Sequence, residues 1–121
     1  MIISFFGHAD FIEENFENEK IALLLNDFSK DDIIEFYLGG YGGFDRFALN
    51  FCKEYKQYNK NVKIVFISPY LGDYLNNRKE QIEMNYDESI YPPIENTPKK
   101  FAILKRNEWI IDKSDLIVFA V

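Results

Sequence analysis

Cysteine and histidine are almost missing from this chain: Cys52 and His8 occur once each. A single cysteine excludes an internal disulfide and suits a reducing compartment. A single histidine excludes a histidine-based metal cluster, and no motif implies a cofactor. Basic residues are outnumbered, with 14 Lys and Arg against 20 Asp and Glu, for a net charge of −6. Several lysines sit beside acids, as in Lys53-Glu54 and Lys30-Asp31-Asp32. No basic stripe remains to follow a nucleic acid backbone, so nucleic acid is not an expected partner. A local positive spot for one small anion is compatible with this balance. Long apolar runs are also lacking. Residues 1–6 are apolar but turn polar at once and have no basic segment ahead of them, which excludes a signal peptide or membrane span there. The cytoplasm is the expected compartment and no membrane partner is expected.

What the chain has in quantity is aromatic side chains, 12 Phe and 8 Tyr. Some of these rings must lie at the surface or line a pocket. The apolar share of 47% supports a real core, and 121 residues fit one domain. Four short runs are apolar on both faces, at residues 2–6, 33–38, 62–67 and 116–121, each followed by Gly, Pro or the end of the sequence. Such runs are strands of a parallel sheet covered on both sides. Stretches with helical spacing lie between them. Residues 17–28 place Ile21, Leu24, Leu25 and Phe28 on one face. In the next helix Phe44, Phe47, Phe51, Tyr55 and Tyr58 form a stripe, widened by Ala48 and ending near Asn59. A last helix is expected over residues 100–113. The alternation predicts an α/β fold, a Rossmann-like three-layer sandwich with a mainly parallel sheet and helices on both faces.

Residues 69–98 stand apart. They carry all four prolines, have no sustained period, and hold at most a short helix within 73–85. A long irregular insert of this kind is usually a lid or binding loop. The final strand runs to Val121, where a doubly wound domain normally continues into another helix, so a truncated domain and a minimal one are both expectations.

Four of the six glycines cluster in Gly39-Gly40-Tyr41-Gly42-Gly43, ahead of Phe44 and Asp45. Glycines between a strand and a helix N-terminus allow positive φ, leave N–H groups unshielded, and make an anion cradle. The loop is neither a Walker A motif nor a dinucleotide fingerprint. Asp45 falls in the first helical turn, where it either favours the helix dipole or accepts hydrogen bonds from a ribose or base. Gly7-His8 closes the first strand, and ligands in open parallel sheets bind beyond the carboxyl ends of strands. Gly7, His8, the glycine loop and Ser68-Pro69-Tyr70 should therefore converge. On the last helix Ile103 and Ile110 are expected to share the core face, flanked by Arg106 and Asn107. A guanidinium placed there needs a partner, either an acid of the chain or a phosphate. Tyr91-Pro92-Pro93 reads as a rigid loop, with stacking of Tyr91 on a base as the alternative. Ser68 lacks an elbow motif and Cys52 lies within a helix, so no nucleophile–base arrangement is visible.

The ordered set Ile3-Ser4-Phe5-Phe6-Gly7-His8, Tyr37-Leu38-Gly39-Gly40-Tyr41-Gly42-Gly43-Phe44-Asp45, Ile67-Ser68-Pro69-Tyr70-Leu71 and Arg106-Asn107 ahead of Ser114-Asp115-Leu116-Ile117 resembles the SLOG superfamily. That superfamily groups the Rossmann-like domains of DNA-processing protein A with Lonely Guy-type proteins, and the small Firmicutes members are most similar. The resemblance implies a Rossmann-like fold and a nucleotide or nucleotide-derived ligand, bound or sensed. For Lonely Guy-type members it implies N-glycosidic hydrolysis of a nucleoside monophosphate, with an Arg on the helix before the fourth strand that Arg106 matches. It also implies a second glycine motif bearing a catalytic Glu, which would begin where this sequence ends; Ala120-Val121 stand where its lead-in is Leu-Pro. Three functions follow as expectations: a ligand-binding domain, a phosphoribohydrolase, and a homo-oligomeric structural module.

Overall fold

The structure is a computed structural model that describes residues 1–7, 21, 25, 33–40 and 42–119. Five strands form one parallel sheet: β1 (Ile2–Phe6), β2 (Ile34–Leu38), β3 (Val62–Ile67), β4 (Glu88–Ile90) and β5 (Leu116–Phe119), in the order β4-β3-β2-β1-β5. Between them lie α1 (Gly42–Tyr58), the short α2 (Asp73–Asn77) and α3 (Lys79–Asn85), and α4 (Ala102–Lys113), which follows a 3-10 turn at Lys99–Phe101. The fold is an α/β Rossmann-like sandwich.

Strand side chains alternate between faces, and the register aligns them into rows. Leu116, Ile3, Phe36 and Ile64 form one row across four strands. This face packs against Phe44, Phe47, Ala48 and Cys52 of α1, together with helical, buried Ile21 and Leu25. The opposite face carries Ser4, Tyr37, Val65 and Ile67 and is covered by α4 through Ile110 and Trp109. Trp109 lies flat on Tyr37, with ring centroids 6.0 Å apart. Buried Ser4 is satisfied by Ser114, whose hydroxyl lies 2.8 Å away and donates to the Ile110 carbonyl. Each fully buried Phe contributes about 1.5–3 kcal/mol by leaving water, so Phe5, Phe36 and Phe44 anchor the first face.

Two expectations need correction. Tyr58 is 80% exposed although its angle on α1 matches the stripe. The reason is length. A 17-residue helix spans about 25 Å, whereas a five-residue strand spans roughly 17 Å, so the last turn overshoots the sheet. Small Ala48 and Cys52, nearer the middle of α1, are fully buried. On α4 the buried row is Ala102, Arg106 and Ile110, while Ile103 is 43% exposed. Arg106 therefore stands at the centre of the buried face, not beside it.

Residues 69–98 also hold more structure than their composition suggests. They form two short helices and the edge strand β4, which the sequence pattern does not reveal. The expected helix over residues 17–28 lies outside the described residues except for Ile21 and Leu25, as do the final two residues of the last expected strand.

Candidate functional site

The strand order reverses at β1, and the carboxyl ends of β1, β2 and β3 gather the segments singled out from sequence. Gly7 follows β1. A Cβ there would stand 2.3 Å from Cγ of Phe44, so Gly7 is what lets the first turn of α1 approach the sheet. The Phe44 ring is thereby committed to the core. Gly40 has φ 71° and Gly42 has φ 85°, both in the left-handed region that favours glycine. Gly42 and Gly43 then open α1, with Asp45 in its first turn. This arrangement turns the N–H groups of a helix start toward the strand ends. His8 and Tyr41 lie outside the described residues.

Arg106 reaches the same edge from the opposite layer. It is 4% exposed. Its Nη1 donates to the carbonyls of Gly39, just past β2, at 3.2 Å, and of Ile67, the last residue of β3, at 3.0 Å. Its Nε donates to Oδ1 of Asn107 at 2.8 Å, so Asn107 orients the guanidinium. A Cβ on Gly39 would lie 3.1 Å from the guanidinium carbon, so the absent side chain makes room for the cation. In the structure Arg106 is held by strand-end carbonyls. Among the described residues no carboxylate forms an ion pair with it. Nη2 has no hydrogen-bond partner there either, and it is not sealed from solvent. Burial pulls the guanidinium below its ordinary pKa, offset in part by Asp45, Tyr74 and Tyr70. It stays charged nonetheless, because arginine is not deprotonated in proteins.

Tyr86 stands on the other side of the glycine loop. Its ring packs on Phe66 at 5.2 Å, and its hydroxyl would be 3.4 Å from a Cβ on Gly40. Its pKa is pushed up to about 12, first by burial and then by Asp45, Cys52 and Tyr74. Tyr86 is thus a neutral hydroxyl beside the loop, and composition gave no hint of it.

A cleft of about 540 Å³ opens in the segment that follows β3 and reaches α4 at Ala102, one turn before Arg106. Pro69, Tyr70 and Tyr91, expected from sequence, line it together with Tyr74, Lys99 and Ala102. Tyr74 and Lys99 were not foreseen; the signal was Tyr70 and Tyr74 at helical spacing in a segment read as irregular. The cleft lies on the β3 side of the sheet edge, away from the strand-order reversal.

Two groups are chemically quiet. Ser68 is buried, donating to the Tyr70 carbonyl and accepting from the Tyr70 N–H. The Cys52 thiol is fully buried, and burial pushes its pKa well up, so it is a poor nucleophile. Among the described residues no group of His, Cys, Asp and Glu could hold a metal ion, and no helix is long and apolar enough to cross a membrane. The chain matches no known family model, and no curated protein sequence matches it.

Proposed function

We propose that this chain, as a SLOG-like domain, binds a nucleotide or nucleotide-derived phosphorylated ligand at the carboxyl edge of its sheet. The phosphate lies between the glycine loop and Arg106. One observation carries this reading: a guanidinium, 4% exposed, sits at the strand ends with no ion-pair partner among the described residues, and Asp45 offsets its burial only in part. A desolvated cation of this kind is costly unless an anion completes it. Arginine fits phosphate with paired N–H donors, and Nη2 is the group left to make such a contact. The start of α1 supplies further donors and a favourable dipole.

The test is a thermal-shift and calorimetric screen with nucleoside mono- and diphosphates, cyclic nucleotides and ADP-ribose. A ligand at 100 times its Kd adds about 2.7 kcal/mol of stability, which raises Tm by several degrees. Arg106→Lys retains the charge but loses the fork, and should weaken the interaction roughly tenfold. No shift with any of these ligands overturns the reading. Release of free base from AMP in the same samples would reveal a hydrolase.

A second reading, a homo-oligomeric module, is favoured by exposed Leu104 and Ile111 on one side of α4 and by Phe119 on edge strand β5. Light scattering that finds only monomer at high concentration removes its support.

A further inference from the structure

The cleft that ends at Ala102, one turn before Arg106, has a chemistry of its own. Tyr70, Tyr74 and Tyr91 contribute to its lining. Tyr70 and Tyr74 meet edge to face with centroids 5.2 Å apart. A cation braces each of these two rings: the Arg78 guanidinium lies 4.0 Å from the Tyr74 centroid, and Lys99 Nζ lies 5.8 Å from that of Tyr70. Such contacts hold the rings in place. The Tyr70 backbone is fixed by Ser68, and Tyr91 follows β4 directly and precedes the fully buried Pro92. Tyr70 and Tyr74 are therefore set before any ligand arrives.

Position ties this cleft to the guanidinium. Ala102 lines the cleft and lies one helical turn before Arg106 on the buried face of α4. Pro69 lines it two residues after Ile67, whose carbonyl holds Arg106. One turn is about 5.4 Å, close to the step from the phosphate of a nucleotide toward its base. Aromatic faces are electron-rich, so the cleft does not favour an anion there but does favour a planar π-system. Its volume of about 540 Å³ lies within the usual small-ligand range of roughly 300–1,000 Å³. Asp73 and Thr97 add polar groups for the edge of a heterocycle.

We propose that this cleft takes the heterocyclic base of a nucleotide whose phosphate lies on Arg106. The proposal rests on the phosphate reading above and names its substrate class: base-bearing nucleotides rather than sugar phosphates. The segment after β3 is then the specificity element of the site, and the glycine loop serves any phosphate.

Calorimetry on the full chain separates the two readings. The probes are AMP, GMP, CMP and UMP, with ribose 5-phosphate as the baseless control and the four nucleosides as phosphate-free controls. At least one monophosphate should bind about tenfold or more tightly than ribose 5-phosphate, as stacking on aromatic rings supplies. Tyr91→Leu and Tyr74→Leu should each erase that advantage and leave the affinity for ribose 5-phosphate unchanged, whereas Tyr91→Phe retains it. Equal affinity for all five phosphates overturns the cleft proposal and leaves the phosphate reading standing. Loss of monophosphate and ribose 5-phosphate alike in folded Tyr91→Leu does the same. Nucleosides that bind as tightly as their monophosphates, in a Tyr91-dependent way, support the cleft and overturn the phosphate reading. No binding of any probe overturns both.

Discussion

The two ends of the sheet are made from the same strands but treat polar groups in opposite ways. At the amino end the groups satisfy one another. Asp115, just before β5, accepts the Ile2 N–H at 2.8 Å, and its own N–H donates to the Ile2 carbonyl. Asp87, just before β4, repeats the device with Ile64 in β3, and its other oxygen accepts from Lys56. Each edge strand is thus pinned to its neighbour by an aspartate that closes a two-bond ring. The terminal ammonium donates to the Ile33 carbonyl, and the Ile34 N–H to that of Asn61. At the carboxyl end, by contrast, a buried cation has no ion pair among the described residues, two glycines have positive φ, and tyrosines line a cleft. Closed bonding at one end fixes register. Open bonding at the other leaves groups for a ligand.

The largest effect should come from Gly40, which serves both purposes. A valine there combines a left-handed φ with a Cβ 2.5 Å from the Phe66 ring. Gly40→Val should cost about 3 kcal/mol, lowering Tm by roughly 10 °C or more, as read by calorimetry. A stable Gly40→Val protein would show that the loop backbone is free to relax, and the contrast between the ends would weaken.

Next is Arg106→Ala. It should reduce affinity for a bound nucleoside monophosphate about 100-fold, which is about 2.7 kcal/mol. Asp115→Ala should leave that affinity unchanged while costing about 1–2 kcal/mol in urea unfolding, because the Ile2 N–H loses its acceptor. Asp87 and Asp115 lie at opposite edges, roughly 19 Å apart across four strand spacings. Their effects on stability should therefore add in the double variant. If Asp115→Ala instead weakens the ligand, the two ends are coupled through β1 and their division of labour fails.

Local pattern explains why some of this was legible in sequence. β1, β2 and β3 are apolar on both faces, and that two-sided signal survives without tertiary information. The stripe on α1 was equally plain, apart from Tyr58, whose exposure depends on the strand length beneath it. β4 was hidden because Glu88 and Ser89 are exposed and the strand is fixed by Asp87, whose partner Ile64 is 23 residues away. The partners of Arg106 were hidden for the same reason: Gly39 and Ile67 are 67 and 39 residues distant. Hydrophobicity alone centres the face of α4 near Ile103, whereas the carbonyls at the strand ends draw Arg106 to that centre. The positions of Pro69, Tyr70 and Tyr91 at the cleft follow from the strand-end rule, but Tyr74 needed the fold of α2.

The smallest effect concerns pH and separates the two ends most cleanly. Burial pushes the Asp87 carboxyl up, but the Lys56 hydrogen bond, the Ile64 N–H and the charges of Lys56 and Lys63 outweigh it, so its pKa lies below the ordinary 3.8. A carboxylate depressed in the folded state stabilises above its unfolded pKa and loses that contribution as pH falls through the folded one. The difference in stability between wild type and Asp87→Asn should be constant from pH 8 to about pH 5 and fade below about pH 4. Because Lys56 and Asp87 are each a third or more exposed, the ion pair is worth about 0.2–1 kcal/mol at most, and salt should reduce it further. Arg106 keeps its charge across this range, so ligand affinity has no reason to follow the same curve. It should change instead near pH 6, where a phosphate monoester gains its second charge. Urea unfolding and calorimetric titration between pH 3 and 8 would therefore give two separate transitions, one for each end of the sheet. A single shared transition would mean that acid acts on the site through the edge strands.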